Sequence, residues 1–158
     1  MTVAHTTPEG TLPEKVTADA VTPDTISTFL DQAILARFAT ATPETHQPHV
    51  VPVWFLWDGE VVWITSFKNT RKVRELRRNA RCAMVIDTER NAYGVSAVLF
   101  EGEAELLTEP RAFVQEMATR IYTRYLGSDG VLAHDPQSWI HNPDNLIIKL
   151  KPGKTHTW

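Results

Sequence analysis

The sequence predicts an antiparallel β-barrel with a few helices packed outside it. Apolar segments of strand length follow one another through turn signals, and residues 49–57 and 60–65 flank the hairpin dipeptide Asp58-Gly59. Segments with helical periodicity stand at the ends of the chain or between single strands. Strands joined mostly by hairpins favour an antiparallel sheet, and the segregated helices favour a barrel with peripheral helices.

Composition limits the protein to one ordinary globular domain. The chain has 158 residues, of which 42% are hydrophobic and 22% are charged, enough to bury a sizeable core. The single cysteine, Cys82, excludes an intrachain disulfide and lies in an apolar segment, which predicts a buried thiol in a reducing compartment. No segment is typical of a secretory signal or a membrane span, so we expect a cytoplasmic protein with no membrane partner.

The N-terminal region divides into an arm and a helix. Residues 1–22 contain Pro8 and Pro13 and few large apolar side chains, so we expect a flexible arm preceding a single domain of residues 23–158. From Pro23, apolar side chains recur at three- and four-residue spacing as far as Ile34. This periodicity predicts a first helix that packs one face onto the sheet.

Six strands are predicted after this helix. The second and third are apolar on both faces, so a helix, a second subunit or a flat ligand should cover their outer face. The fifth is expected to bend at Gly102. The six predicted strands are residues 37–42, 49–57, 60–65, 81–87, 92–107 and 145–152, followed by a tail. A long helix should run from Pro110 to Gly127, and residues 136–141 predict a short helical turn.

A cluster of cations lies in residues 65–81, TSFKNTRKVRELRRNAR, which hold seven of the sixteen Lys and Arg residues of a chain with a net charge of −3. The pattern predicts strand, loop and helix, with Asn69 or Thr70 as N-cap. Arg71 and Lys72 then fall in the first turn, where free N–H groups make a cation unfavourable by roughly 0.3–1 kcal/mol. A bound anion would offset this cost, so the segment predicts a phosphate site.

The predicted phosphate site combines these two cations with the hydroxyls of Thr65, Ser66 and Thr70. The alternative is a solvated helix face with no ligand, because Arg74, Arg77, Arg78 and Arg81 are typical of an exposed surface. A solvated face explains the two cations of the first turn less well.

The order of these segments resembles the pyridoxamine 5′-phosphate oxidase-like split-barrel family, and especially its group that uses FMN or F420. The resemblance covers about residues 25–151 and is most specific in T-S-x(3)-T-R-K-x(3)-L-R-R-N, residues 65–79. It implies a six-stranded antiparallel Greek-key split barrel of the FMN-binding type. It also implies a homodimer with two cofactor sites at its interface.

The resemblance assigns roles to individual residues. It implies that the backbone of Val50, Val51, Pro52 and Val53 lies along the isoalloxazine-type ring. Thr65 and Ser66 match residues near the ribityl chain, and Thr70, Arg71 and Lys72 match the phosphate-binding turn. If the cofactor is F420, its longer anionic tail would also use Lys68, Arg74, Arg77 and Arg78.

Two departures argue against vitamin B6 oxidation. The true oxidases carry an Arg followed five residues later by a Lys on the second strand, and the corresponding segment HVVPVWF has neither. Their C-terminal Arg-containing substrate motif is also missing from the tail KPGKTHTW. We therefore expect an oxidoreductase that acts on another small, flat organic substrate.

Several functional alternatives remain open from sequence. FMN and F420 carry the redox chemistry themselves, so no catalytic residue is predicted. A non-catalytic binder of haem, biliverdin or another cofactor would share the fold. No metal site is predicted, because neither His46 with His49 nor His134 with His141 has an accompanying set of ligands. A pI of about 6.1 argues against nucleic-acid binding.

Overall fold

The computed structural model describes residues 21–92 and 94–158. The predicted arm lies outside the described residues except for Val21 and Thr22. The helices are α1 (Pro23–Leu30), α2 (Arg71–Leu76), α3 (Arg111–Gly130) and α4 (His134–His141). The strands are β1 (Ala36–Ala41), β2 (Pro48–Val53), β3 (Phe55–Trp57), β4 (Val62–Phe67), β5 (Arg81–Ala92), β6 (Val95–Leu107) and β7 (Asn145–Thr157).

The strands form one antiparallel sheet in the order β2-β1-β5-β6-β7-β4-β3. Strands β2 and β3 occupy opposite edges, yet only Trp54 separates them in the chain. Two Cα–Cα steps span at most about 7 Å, so the sheet must curl until its edges approach each other. The predicted fold class, an antiparallel barrel with peripheral helices, is confirmed.

The sheet has seven strands because the second predicted strand is interrupted at Trp54. Val53 and Phe55 are both buried, as they would be in a continuous strand, so the interruption does not change which side chains face the core. The Phe55 N–H donates to the Tyr125 hydroxyl at 3.2 Å rather than to a strand. The same hydroxyl donates to the Ile34 carbonyl at 2.8 Å. The Tyr125 side chain of α3 therefore holds the backbone at the point where it passes from β2, at one edge of the sheet, to β3, at the other edge.

The predicted hairpin joins β3 to β4, with its loop one residue later than expected. The Asp58 N–H donates to the Val61 carbonyl at 3.3 Å, so Gly59 and Glu60 form the loop. Gly59 has a φ of 100°, which a residue with a side chain adopts only with strain. The Asp58 carboxylate accepts from the N–H groups of Glu60 and Val61 and from the Trp63 indole at 2.7 Å.

The predicted bend at Gly102 is confirmed by a register shift in the pairing of β6 with β7, between Glu101 and Gly102. A Cβ at Gly102 would lie 2.6 Å from the Lys151 carbonyl oxygen, so the close approach of the two strands requires glycine. The predicted fifth strand began too early, because β5 itself extends to Ala92 and pairs with β6.

The prediction of a C-terminal tail after residue 152 was wrong. Strand β7 continues to Thr157, which pairs with Val98 of β6. The Trp158 carbonyl accepts from the Ser96 N–H at 2.6 Å. The long β6 offers backbone partners along its whole length, and this pairing outweighs the local turn signals of Pro152 and Gly153.

The helices pack as the periodicity predicts, with shifted ends. Helix α1 stops at Leu30 rather than Ile34. The Arg124 guanidinium of α3 donates to the carbonyl of Leu30, the last residue of α1, and to the carbonyl of Gln32, two residues further on. Gly127, with a φ of 79°, interrupts α3 where a stop was predicted. In the described part of the chain, no helix has the length and apolar character needed to cross a membrane.

The core lies inside the curled sheet and is closed by α1. Phe29 and Leu30 of this helix are fully buried and join the apolar interior of the strands. A second apolar cluster lies between α3 and the outer face of the sheet, around Met117, Ile121 and Ile147. The sequence predicted that a helix, a second subunit or a flat ligand would cover the outer face of the second and third predicted strands. Helix α3 covers one part of that face.

Candidate functional site

A cleft of about 450 Å³ opens beside the junction of β2 and β3, and we call it the aromatic cleft. Its walls come from β2, β4, α2 and the two C-terminal helices, which the curled sheet brings together. The lining residues are Leu35, Pro52, Val53, Trp54, Thr65, Phe67, Lys72, Tyr122 and Trp139. Four of the predicted site residues therefore lie in one cleft, although they come from three different elements.

Aromatic rings form the wall on the helix side. The Trp54 ring stacks on Tyr125 with centroids 4.8 Å apart and an interplanar angle of 4°. It also meets Tyr122 edge-on at 5.8 Å, and Tyr122 meets Trp139 edge-on at 5.6 Å. Rings packed in this way hold one another in place, so the wall presents fixed flat surfaces that suit a planar ligand.

A hydrogen-bonded group of polar side chains lies within this wall. The Thr65 hydroxyl donates to Asn145 Oδ1 at 2.9 Å. Burial raises the pKa of the Tyr122 phenol, and a hydrogen bond with Thr65 only partly offsets that rise. Tyr122 therefore stays neutral at physiological pH and offers a hydroxyl rather than a charge to the cleft.

Lys72 is the cation of the aromatic cleft. Its side chain is half-buried, and burial lowers the pKa of its amine. Within residues 21–92 and 94–158, no carboxylate or hydrogen-bond acceptor contacts the Lys72 amine. A desolvated cation without a counterion is costly for the protein, and an anionic ligand group would relieve that cost.

Arg71, the neighbouring cation, does not need an external anion to balance it. Helix α2 has only six residues, and its N-cap Thr70 makes no side-chain capping bond. The Thr70 hydroxyl instead donates to the Phe67 carbonyl at 3.0 Å and lies 3.1 Å from the Ser66 hydroxyl. Arg71 Nε donates to Glu75 Oε1 at 2.9 Å, so a carboxylate of the same helix already offsets its charge.

Glu75 is an acid that the sequence reasoning missed. It is 6% exposed, and its two oxygens accept from the Thr40 hydroxyl at 2.5 Å and the Thr42 hydroxyl at 2.9 Å. Burial by itself would raise the pKa of this carboxyl, but the hydrogen bonds from Thr40, Arg71 and Thr42 bring the pKa down to about 2. One sequence signal was available, since Glu75 is the only acid in residues 65–81 and lies four positions after Arg71.

A second cleft of about 320 Å³ adjoins α2, and we call it the arginine cleft. It is lined by Thr42, Pro43, Arg71, Arg74, Glu75 and Arg78. Arg78 forms an ion pair with Glu44, and Arg74 Nη1 donates to the Asn69 carbonyl at 2.5 Å. The structure thus directs Lys72 and Arg71 into two different clefts.

The other predicted site residues lie outside both clefts. Lys68 donates to the Pro143 carbonyl at 3.0 Å and lies 3.7 Å from the Asp144 carboxylate, so its amine is already engaged. Ser66 is buried, whereas Val50 is 58% exposed on the edge strand β2. Val51 and Thr70 also lie outside the lining of either cleft. Their assignment to a cofactor stays a prediction.

Tyr122 and Trp139 are further lining residues that the sequence reasoning did not identify. Both come from the C-terminal helices, far along the chain from β2, so no local pattern places them at the cleft. Of the strand tryptophans, Trp57 stacks on Phe100 and Trp63 packs edge-on against Phe113, away from the cleft.

The described residues contain no group of three His, Cys, Asp or Glu side chains that could hold a metal. His49 lies 3.6 Å from Glu75, while His134 and His141 stand at the two ends of α4. Cys82 is buried, and burial together with the nearby Glu103 raises the pKa of its thiol to about 12. This thiol is therefore unsuited to act as a nucleophile.

The family profile described as pyridoxamine 5′-phosphate oxidase matches residues 22–158. The match includes every described helix and strand, from α1 to β7. No curated protein sequence matches the chain.

Solved structures with a similar fold include proteins of different descriptions. A conserved hypothetical protein from Mycobacterium tuberculosis is 24% identical with a TM-score of 0.72, over 92% of this chain and 89% of that one. An F420 reductase is 24% identical with a TM-score of 0.65, over 82% and 94%. The haem storage protein HutZ from Vibrio cholerae is 14% identical with a TM-score of 0.65, over 84% and 91%. Identities this low establish similarity of the fold alone.

Proposed function

This chain belongs to the pyridoxamine 5′-phosphate oxidase family, and from that premise we propose that it is an oxidoreductase that binds FMN or F420. Its substrate is proposed to be a small, flat organic molecule that is reduced or oxidised beside the bound cofactor. An F420 reductase of similar fold supports the choice of cofactor class, although it is only 24% identical. The departures on the second strand and at the C-terminus argue against oxidation of vitamin B6.

The observation that carries the proposal is the combination of flat aromatic walls and a lysine in the aromatic cleft that has no partner in the described part of the chain. Its volume of about 450 Å³ lies within the usual range for small-molecule and cofactor sites. An isoalloxazine or deazaflavin ring is planar and largely apolar, which suits the wall formed by Trp54 and Tyr122. The phosphate of either cofactor supplies the anion that Lys72 lacks.

The chain's own residues hold and orient the cofactor in this proposal. FMN or F420 supplies the redox chemistry when bound, so the protein needs no catalytic acid or base for that step. Pro52 and Val53 line the apolar side, and Thr65 offers a hydroxyl whose orientation is held by Asn145. The apolar lining also excludes water from the ring, which favours transfer to a bound substrate over side reactions.

The arginine cleft is the feature that would favour F420 over FMN. FMN carries one phosphate, whereas F420 has a longer tail with several anionic groups. Arg71, Arg74 and Arg78 line the cleft next to α2, on which Lys72 also lies. Lys68 contributes less to this tail than the sequence suggested, because it lines neither cleft.

An absorbance titration of the purified protein with FMN, F420 and haem tests the proposal. We expect saturable binding of FMN or F420 and weakening by about 10-fold or more in Lys72→Met, since a charge-assisted hydrogen bond contributes about 1.5–3 kcal/mol. The same variant should unfold at the same temperature or higher, because it removes a desolvated charge.

Lys154→Met is the matched control, since this lysine is exposed on β7 and does not line the aromatic cleft. It should bind cofactor as the unaltered protein does. Binding of haem alone would replace the proposal with the non-catalytic alternative. Binding of none of the three ligands would refute the proposed cofactor site.

A further inference from the structure

The contact between Arg71 and Glu75 has a geometry that leaves Arg71 free to bind something else. Glu75 accepts from Nε of the guanidinium at 2.9 Å. Within the described parts of the chain, neither terminal nitrogen of Arg71 has a hydrogen-bond acceptor. The Arg71 side chain is 46% exposed and lines the arginine cleft. The two terminal nitrogens can bind a phosphate or carboxylate in a bidentate manner.

Glu75 itself is held more firmly than an ordinary helix-surface acid. Its side chain is 7% exposed, and the hydroxyls that bind it come from Thr40 on β1 and from Thr42, just after the end of that strand. Strand β1 pairs with β2 on one side and with β5 on the other, and Thr40 itself pairs with His49 of β2, so the Thr40 hydroxyl is carried by the sheet. The carboxylate is thus fixed by the sheet and in turn fixes the first turn of α2.

An ordinary surface ion pair would not need this arrangement. Exposed pairs such as Lys149 with Glu105, whose glutamate side chain is 61% exposed, lose little when they separate because water solvates both partners. Glu75 is buried, so it cannot exchange Arg71 for water at small cost. The sheet therefore imposes one orientation on a side chain that would otherwise sample many.

We propose that Glu75 is a positioning residue that holds Arg71 by Nε and presents its two terminal nitrogens to an anionic group of the cofactor. This inference rests on the proposed function, because it assumes that an anion binds beside α2. Glu75 does not touch the ligand, since like charges would repel. Its effect on binding passes entirely through Arg71.

A double-mutant cycle tests this dependence. The dissociation constant of the cofactor is measured for the unaltered protein, Glu75→Gln, Arg71→Ala and the double variant. We expect Glu75→Gln to weaken binding about 10-fold when Arg71 is present and less than 2-fold when Arg71 is alanine. An equal loss in both backgrounds would mean that Glu75 acts through general stability, and no loss in either would mean that it does not act at all.

Two further variants keep the test decisive if Glu75→Gln does not fold. Thr42→Val removes one hydrogen bond from Glu75 Oε1, the oxygen to which Arg71 also donates, and should weaken binding less than Glu75→Gln. If Glu75→Gln does not fold, the cycle is completed with Thr42→Val and the same criterion of dependence on Arg71. Glu105→Gln, which breaks an exposed pair on the sheet, should leave binding unchanged.

A readout without cofactor separates this inference from the proposed function. The ¹⁵N–¹H signal of Arg71 Nε is followed while inorganic pyrophosphate is added. We expect slow solvent exchange in the unaltered protein, fast exchange in Glu75→Gln, and a pyrophosphate-induced shift that is smaller in the variant. If neither FMN nor F420 binds, the proposed function fails and this experiment still decides the role of Glu75. Equal exchange rates, or equal responses to pyrophosphate, would overturn it.

Discussion

At the scale of single residues, Arg71 and Lys72 show how neighbours in sequence acquire different environments. Both were expected to conflict with the start of a helix and to need the same anion. Arg71 is balanced within the protein by Glu75, whereas Lys72 enters the aromatic cleft without a described partner. An external anion is therefore expected to bind Lys72 and the terminal nitrogens of Arg71, which have no acceptor among the described residues.

The buried carboxyl of Glu75 should make the protein sensitive to acid. Its pKa falls from 4.5 to about 2 on folding, so the folded state binds fewer protons than the unfolded state between these values. The stabilisation is fully present above pH 4.5 and is lost as the pH falls toward 2. We expect Glu75→Gln to lower the free energy of unfolding by about 1–3 kcal/mol at pH 7 and by much less near pH 2.

Urea unfolding at several pH values between 7 and 2 measures this difference. Glu105→Gln serves as the control, because its pair with Lys149 is exposed and should contribute little at any of these pH values. A gap between Glu75→Gln and the unaltered protein that stays constant over the whole range would contradict the assignment of the acid sensitivity to Glu75.

At the scale of elements, the bulge at Gly102 fixes how β6 and β7 meet. The Lys151 carbonyl oxygen lies 2.6 Å from the position of an added Cβ, and Leu150 Cδ1 lies 3.1 Å away. A carbonyl of the paired strand cannot move without breaking the ladder. We therefore expect Gly102→Ala to lower the free energy of unfolding by about 1–3 kcal/mol.

Gly153→Ala is the matched control on the partner strand. Its added Cβ would lie 3.6 Å from the Glu101 carbonyl oxygen, which is an ordinary van der Waals distance. Chemical denaturation of both variants should show a loss in Gly102→Ala and at most a small change in Gly153→Ala. Equal losses would indicate that glycine flexibility, rather than the close approach at Gly102, sets the cost.

The helices also determine where the strands can go. Arg124 of α3 donates to the carbonyls of Leu30 and Gln32 at the end of α1 and just after it. Its guanidinium lies 4.9 Å from the centre of the Phe55 ring. Tyr125, the next residue, accepts from the Phe55 N–H and donates to Ile34. One turn of α3 thereby fixes both the end of α1 and the point where the chain passes from β2 to β3.

At the scale of the whole molecule, the exposed edge strand β2 leads us to propose the homodimer that the family resemblance implies. Val50 is 58% exposed on this strand, and Leu35 at the mouth of the aromatic cleft is 48% exposed. An apolar edge of this kind is a liability for a monomer unless another chain covers it. A second copy would bury roughly 800 Å² per subunit in a standard interface.

Sedimentation at micromolar concentration should therefore show two chains per particle. Val50→Glu should shift the protein toward the monomer, because it places a charge in the proposed interface. Leu132→Glu is the control, since Leu132 is 70% exposed and lies on the connection between α3 and α4 rather than on β2. A monomer in the unaltered protein, or equal effects of both variants, would exclude β2 as the dimer surface.

The amino-acid pattern by itself determined the antiparallel class, the presence of the four described helices, the hairpin at Asp58 and the bend at Gly102. These features depend on period, turn chemistry and glycine, which act over a few residues. The pattern also identified the cationic segment and, through its motif, the family. It did not determine that residues 49–57 divide between two edges of the sheet.

Only the tertiary structure decided the contents of the site. Glu75 was hidden among cations because its hydrogen-bond partners, Thr40 on β1 and Thr42 just beyond it, are distant in the chain. Tyr122 and Trp139 reach the cleft only because α3 and α4 pack beside the place where the sheet closes. Local propensity depends on neighbours in the chain, whereas burial and charge compensation depend on neighbours in space. The curled sheet determines which residues are neighbours in space.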